Sequence, residues 1–475
     1  MVGRTKEIKE LNNLYDSHRA ELVAVYGRRR IGKTYLINHC FAGKFLFKHA
    51  GLAPEEESED SKGQLKKQLN HFYMSLRSYG LEDSACPNNW FEAFFLLRKL
   101  IERKDDGSRL VVFIDELPWL DGKGSSFIPA FEGFWNTFGC AQDNLLFIVC
   151  GSATSWMENN LINNHGGLYD RVTYEIKLSP FSLHECEEFL SEKGVKLSRY
   201  DIACAYMALG GVPYYLSYIE NGLSLAQNID GLLFKKGAKL SFEFDRLFNS
   251  VFTYSDKAQQ IVRLLRGRSL GYTRKEIASK TGIAEGGTLT NYLNGLIASD
   301  FVIKYAPFGY GKKEPYYKLV DPFCLFYLNF ALHEGENEEY FSQNFGSHKL
   351  NAWLGRAFEN LCFNHIPEIK FALGVSGVST SSSAFYSQED GTQIDMILER
   401  KDNVINLCEM KFHSTPFKVD QDYFFLINRR NEAIRKKVSK KMSVRNTLIS
   451  AYGVEKNAYW GVFTNVITLD DLFRF

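Results

Sequence analysis

At 475 residues the chain is too long for one ordinary core, and a prior of about 100–200 residues per domain predicts a multidomain protein. An apolar share of 45%, a charged share of 24% and only 11 prolines place it among globular chains and exclude the disordered, collagen-like and coiled-coil classes. The 57 Lys+Arg against 56 Asp+Glu leave a formal charge of +1, so bulk charge makes no case for a polyanion partner and only local clusters can.

Nine cysteines without C-x-x-C spacing predict reduced core residues and neither a disulfide framework nor a zinc ribbon. The chain opens into a polar, helical segment, and its apolar runs at Leu110–Ile114 and Leu145–Cys150 fall far short of the ~20 residues of a membrane span. A cytoplasmic protein without a membrane partner is expected.

The first strong signal is Leu22–Tyr26, a short buried strand, running into Gly27, Arg28, Arg29, Arg30, Ile31, Gly32, Lys33 and Thr34, then a helix through Tyr35, Leu36 and Ile37. This is a strand, P-loop and helix. Gly27 and Gly32 let the backbone N–H groups wrap around phosphate oxygens, and the helix N-terminus adds a favourable dipole. Lys33 is expected to reach the β and γ phosphates and Thr34 to ligate Mg²⁺. The three arginines read as loop positions contributing backbone, with side chains towards solvent, a neighbouring subunit or a lid.

The next apolar run, Leu110–Ile114, ends in Asp115 and Glu116, the pattern of a Walker B strand. Asp115 would hold Mg²⁺ through water and Glu116 would orient or deprotonate the attacking water. Two acids can also merely terminate a strand; the P-loop upstream decides for the first reading. A third run, Leu145–Cys150, ends in Gly151 and Ser152, which makes Ser152 a candidate γ-phosphate sensor.

Together with Val2-Gly3-Arg4-x-x-Glu7, Phe113–Pro118, Leu168-Tyr-Asp-Arg171, Leu178–Phe181 and Gly210-Gly-Val-Pro213, these motifs resemble the archaeal-type P-loop ATPases, relatives of the AAA+ and STAND classes. The resemblance covers roughly residues 1–240. It implies a P-loop NTPase core over 1–179 and a helical lid over 180–245, with ATP and Mg²⁺ as cofactors. It also implies that Gly3 and Arg4 lie near the adenine and that Pro213 sits in the lid over the nucleotide. Arg171 is an arginine-finger candidate, with a structural ion pair as the alternative. Acting in trans, it would imply a homo-oligomer.

Residues 180–239 carry helical periodicity. Gln259–Leu265, Tyr272–Gly282 and Gly287–Ala298 then read as three short helices, and the strands at 301–305 and 315–320 flank a glycine-rich tip, Gly309–Lys313. This is a winged helix-turn-helix over 246–335. Between Arg263 and Lys313, nine basic residues (263, 266, 268, 274, 275, 280, 304, 312, 313) against three acidic (276, 285, 300) are compatible with DNA. The recognition helix, 288–299, nevertheless offers only Thr290, Asn291 and Asn294, so a DNA reader and a packing module both stay open.

A new domain, 345–475, begins with an amphipathic helix around Leu354–Phe363 that carries Glu359. A Gly/Ser-rich stretch at 374–383, expected as a loop or irregular strand, is followed by a hairpin from Gln393 to Lys411. Glu-x-Lys alone means nothing, since six copies occur, but pairing Arg400 with Val404 across a three-residue loop sets Asp395 opposite Glu409, about 4.5–5.5 Å apart at Cβ. Glu409 and Lys411 share that face. Two such carboxylates can share Mg²⁺ while Lys411 stabilises developing charge. This arrangement is similar to the PD-(D/E)xK restriction-endonuclease-like fold, which implies that Glu359, Asp395, Glu409 and Lys411 are its functional residues. A fold relic that cuts nothing is the alternative, and Gln393 departs from the family's Pro-Asp dipeptide. Eight basic residues between Arg429 and Arg445 read as a basic helix beside the metal site, with a solvated face as the plainer reading.

The expected protein is therefore a multidomain α/β ATPase coupled to a metal-dependent DNA-processing domain. Its alternative is a STAND-like, ATP-dependent signalling or DNA-binding switch with an inactive nuclease fold.

Overall fold

The computed structural model describes residues 2–53, 61–164, 166–249, 251–252, 255–309, 315–332, 337–387 and 392–474. The chain divides into two compact units, 1–179 with 247–255, and 180–246 with 256–475. Residues 310–313 of the expected wing tip lie outside the described residues. Among the described residues no helix is long and apolar enough to cross a membrane. All nine cysteines are free; Cys150, Cys186, Cys204, Cys324, Cys362 and Cys408 are buried, whereas Cys86 and Cys140 are exposed.

The first unit is built on five strands, β1 (Glu21–Tyr26), β2 (Phe45–Ala50), β3 (Leu110–Asp115), β4 (Leu145–Gly151) and β5 (Tyr174–Lys177). They form one parallel sheet in the order β2-β3-β4-β1-β5. Strands β1, β3 and β4 are buried along their whole length, as central parallel strands covered on both faces must be, which is why they read as unbroken apolar runs. Alternation still divides them. Leu22, Ala24, Val112 and Phe147 enter one core with helices α3 (Ser61–Ser78), α4 (Trp90–Lys104) and α5 (Phe127–Thr137), whereas Val23, Val25, Phe113 and Ile148 enter the other with α1 (Thr5–Tyr15) and α2 (Lys33–Phe41). The strand ends that carry Gly27, Asp115 and Ser152 thus emerge along one edge of the sheet, where open α/β sheets bind ligands.

In the second unit, helices α6 (Leu183–Glu192) and α7 (Arg199–Leu209) occupy the first stretch expected to be helical. Helices α8 (Ser255–Leu265), α9 (Arg274–Thr281) and α10 (Gly287–Ala298) follow, with Gly282 in the left-handed region after α9. Strands β6 (Tyr272–Thr273), β7 (Val302–Tyr305) and β8 (Tyr316–Leu319) make a small antiparallel sheet in the order β6-β8-β7.

Beyond it, α11 (His348–Asn364) is capped by Ser347, whose hydroxyl accepts from Leu350 N–H at 3.3 Å. A second five-stranded sheet contains β9 (Thr380–Ser387), β10 (Thr392–Arg400), β11 (Val404–Lys411), β12 (Ser443–Ser450) and β13 (Asn465–Thr468). The order is β13-β12-β11-β10-β9, antiparallel from β9 to β11 and parallel from β11 to β13. The Gly/Ser-rich stretch is the expected loop running into an irregular strand: β9 begins at Thr380 and its pairing with β10 shifts register between Ile394 and Ile397. One expected element needs correction. The basic run 429–445 is not one helix: α12 (Gln421–Arg435) ends within it, and β12 begins at Ser443.

Candidate functional site

In the P-loop three residues adopt left-handed backbone, Gly27 (φ 140°), Arg30 (φ 75°) and Gly32 (φ 91°). Gly27 is sterically required, since a Cβ there would stand 2.3 Å from the Leu178 carbonyl oxygen. Lys33 is buried at the head of α2, and its ammonium donates to the carbonyls of Gly27 (2.8 Å) and Arg28 (3.0 Å). Burial lowers its pKa, opposed by the charges of Glu116 and Asp115.

Thr34 Oγ1 donates to Asp115 Oδ2 at 2.6 Å, so the two groups expected at Mg²⁺ already meet. Glu116 follows in left-handed backbone, φ 48° and ψ 48°, and its Oε2 accepts from both the N–H (3.1 Å) and the hydroxyl (2.8 Å) of Ser152. Burial raises the Glu116 pKa, Lys33 counters this, and Asp115 adds to it. Ser152 thus stands at the end of β4 as the partner of Glu116, a pairing that strand patterns cannot show. The cradle at Gly27, the buried ammonium and the hydroxyl–carboxylate pair fit a nucleoside triphosphate with a hard divalent cation.

Arg4 (φ 72°) is buried, and its guanidinium donates to the carbonyls of Ser179 (2.6 Å) and Ile31 (3.4 Å), which ties it to the P-loop. Gly3 also has positive φ, 60°, and directs the chain into α1. Arg28 is buried rather than turned to solvent, while Arg29 and Arg30 are half-buried. Ile31 is buried in the α1/α2 core, and Tyr35 is exposed, stacked on His39. Arg171 is exposed, and its side chain makes no hydrogen bond or ion pair among the described residues. In the second unit, Pro213 opens a short helix, Pro213–Leu216, just after Gly211. Gly211 runs backbone to backbone against Phe181, whose N–H donates to its carbonyl at 2.6 Å, and a Cβ at Gly211 would meet Phe181 O at 2.0 Å.

The second unit carries a separate carboxylate centre. β10 and β11 pair with Met396 opposite Cys408 and Glu399 opposite Ile405, the register that sets Asp395 against Glu409. Asp395 Oδ2 accepts from Met410 N–H at 3.2 Å. Glu409 is buried and fully engaged: Oε1 meets the Lys411 ammonium at 2.7 Å and the Tyr423 hydroxyl, and Oε2 meets the Arg430 guanidinium. Burial pushes its pKa up, but Lys411 and Arg430 outweigh that and hold it low. Glu359 and Asp395 go the opposite way. Burial raises both, and each is raised further by a neighbouring carboxylate, Asp395 for Glu359 and Glu409 for Asp395.

Among the described residues no group of three or more His, Cys, Asp or Glu side chains is placed to hold a metal ion. Of the expected pair, Glu409 has no oxygen to spare. Glu359 and Asp395 are engaged by no cation within ion-pairing distance among the described residues, and as hard oxygen donors they fit Mg²⁺. Tyr423 and Arg430, the partners of Glu409 on α12, are not among the residues expected at this centre. Their spacing of seven on α12, two turns on one face, was the available signal. Of the basic run, Arg430 is turned inward, while 429, 435, 436, 437, 440, 441 and 445 are exposed.

Comparison with known proteins agrees with the first site. Residues 1–219 match the family described as an ATPase domain predominantly from Archaea. An uncharacterized protein of Methanocaldococcus jannaschii is 25% identical over 379 residues, 78% of this chain and 77% of that one. Among solved structures, a Walker-type ATPase of Pyrococcus abyssi is similar with a TM-score of 0.46 and 19% identity over 70% of this chain and 96% of that one. The ORC2 protein of Aeropyrum pernix gives a TM-score of 0.38 and 14% identity over 69% and 93% of the two chains. Residues 1–219 are thus similar to an archaeal-type ATPase domain, which supports nucleotide binding there.

Proposed function

We propose that this chain hydrolyses ATP at the first site and that the nucleotide state controls a metal-dependent phosphodiester-cleaving centre in the second unit. The observation that carries the ATPase reading is the meeting of Thr34 with Asp115 beside a Glu116 held by Ser152. ATP would be held by the 27–32 backbone and Lys33, with Mg²⁺ at Thr34 and Asp115; it supplies the γ-phosphoryl group to be transferred. Glu116, once free of Ser152, is the base that accepts the proton of the attacking water. Exposed Arg171 is the residue available to a neighbouring copy in a homo-oligomer.

For the second unit the supporting observation is Asp395 set against Glu409 at one end of a mixed sheet, with Glu359 nearby, as in a PD-(D/E)xK nuclease-like domain. The divalent cation would polarise the phosphate. Lys411 then offers charge to the departing oxygen, and the exposed basic residues at 429–445 would hold the DNA backbone. The helices α8 to α10 with their small sheet form a winged helix that serves for packing, because β7 and β8 line a cavity against α11 and β9. A second reading, a switch with an inactive nuclease fold, is favoured by one observation: both oxygens of Glu409 are taken by protein cations and a hydroxyl.

The test is phosphate release from ATP by wild type, Lys33→Ala and Glu116→Gln, together with cleavage of plasmid and single-stranded DNA by wild type and Asp395→Ala with Mg²⁺ or Mn²⁺. Loss of ATP turnover in both P-loop variants and loss of cleavage in the Asp395 variant are expected. ATP turnover without any cleavage would select the second reading.

A further inference from the structure

The small sheet contributes a residue that neither the nucleotide site nor the DNA reading uses. In β8 side chains alternate, so Tyr317 and Leu319 go to one face and Lys318 to the other, where Ile303 of β7 stands across from it. That face, with Val320, lines a cavity of about 260 Å³ whose opposite wall includes Phe363 of α11 and Ser382 and Ala384 of β9. Lys318 is only 7% exposed, and its ammonium lies 5.0 Å from the centre of the Phe363 ring. Phe363 is one turn beyond Glu359 on α11, so the ammonium runs along the helix face that bears this carboxylate. Among the described residues it has no hydrogen bond.

A buried ammonium is costly unless opposite charge faces it. The charges that face Lys318 are Glu359 and Asp395, which oppose the lowering of its pKa by burial. Each carboxylate of the centre then has a cation facing it. Glu409 is met by Lys411 and Arg430, and the remaining Glu359 and Asp395 face Lys318 and Lys411. Three carboxylates are set against three cations, and two of those cations belong to the same sheet domain as the acids. The third does not: it comes from the preceding module, whose chain is tied to the edge strand by the Phe308 N–H donating to Ala384 O at 2.9 Å.

We propose that Lys318 is a built-in counter-cation of the carboxylate centre, held there by β8, which competes with a divalent cation for Glu359 and Asp395 and keeps metal out until the small sheet moves off α11. The inference rests on the metal-dependent reading of that centre. It makes the winged-helix module a plug whose withdrawal leaves two carboxylates without their counter-charge. A hard divalent cation is the ligand class that such a pair recruits.

The probe is Mn²⁺ alone, without nucleotide, with free Mn²⁺ read by electron paramagnetic resonance on the full chain. Lys318→Met keeps the stem and removes the charge. It should bind Mn²⁺ on the order of tenfold or more tightly than wild type, the scale expected from removing one like charge close to a cation. Lys318→Arg should stay at the wild-type level, and Lys318→Met with Glu359→Gln should lose the gain. Near-ultraviolet circular dichroism checks that each variant is folded, and Lys318→Arg carries the comparison if Lys318→Met is not: an Arg variant that gains affinity overturns the proposal. A folded Lys318→Met protein that binds no more tightly than wild type also overturns it. If wild type already binds as tightly as Lys318→Met and loses Mn²⁺ in Glu359→Gln, the plug fails while the metal centre stands. If Glu359→Gln and Asp395→Asn alter nothing in any background, the metal reading itself fails.

Discussion

Both units bury carboxylates, but they neutralise them differently. In the nucleotide site the partners of Asp115 and Glu116 are hydroxyl and N–H donors, Thr34 and Ser152. In the second unit the partners of Glu409 are a lysine, an arginine and a tyrosine. A hydrogen bond to a charged carboxylate contributes about 1.5–3 kcal/mol net, whereas breaking a buried ion pair from one side costs about 3–5 kcal/mol. On the proposed function, the hydroxyl donors of the first site are the partners that can be exchanged during a reaction cycle, and the ion pairs of Glu409 are the ones that hold the second site in place.

The largest expected effect is on turnover. Lys33→Ala removes the buried ammonium proposed to meet the phosphates and should lower ATP hydrolysis on the order of 10²–10³-fold, measured as phosphate release. Next is Arg430→Met, which strips a buried cation from Glu409 and should destabilise the second unit by about 3–5 kcal/mol, read from its denaturation midpoint. A comparable loss in the first unit would break the contrast.

The third is pH. His365 donates from Nδ1 to the Leu361 carbonyl (2.8 Å) and accepts at Nε2 from Leu183 N–H (3.0 Å), which fixes a neutral ring. Burial pushes its pKa down to about 4 from 6.5. Because the folded value lies below the unfolded one, the unfolded chain binds the extra proton between them. Stability is then full above pH ~6.5 and falls by about 3 kcal/mol on the way to pH ~4. Thermal melts across that range check it, and a His365→Gln variant should show a flatter profile. The smallest effect is that of Ser152→Ala. It removes one hydroxyl donor from the Glu116 carboxylate, should cost about 1.5–3 kcal/mol, and should change hydrolysis by less than about tenfold.

The nucleotide site was legible because its chemistry is contiguous. Gly27 to Thr34 are one stretch, Asp115 and Glu116 are adjacent, and fully buried parallel strands announce themselves as apolar runs. The hairpin register was legible for the same reason, since a short loop fixes which residues face each other across β10 and β11. What escaped depends on contacts between distant segments. The pairing of Ser152 with Glu116 exists only once β4 lies beside β3, and Arg4 meets the carbonyls of Ile31 and Ser179 only once those distant segments come together. Tyr423 and Arg430 meet Glu409 only once α12 crosses the sheet, and Lys318 is one polar residue in an apolar strand.

Whether the nucleotide state governs a phosphodiester-cleaving centre is tested by single-turnover cleavage of an end-labelled DNA with Mn²⁺, by wild type and by Glu116→Gln, each with and without ATP. Cleavage should disappear in Asp395→Ala, and its rate should differ between the ATP-held and nucleotide-free forms. Cleavage at one rate in every nucleotide state would contradict the coupling, and no cleavage by a chain that still hydrolyses ATP would contradict the centre itself.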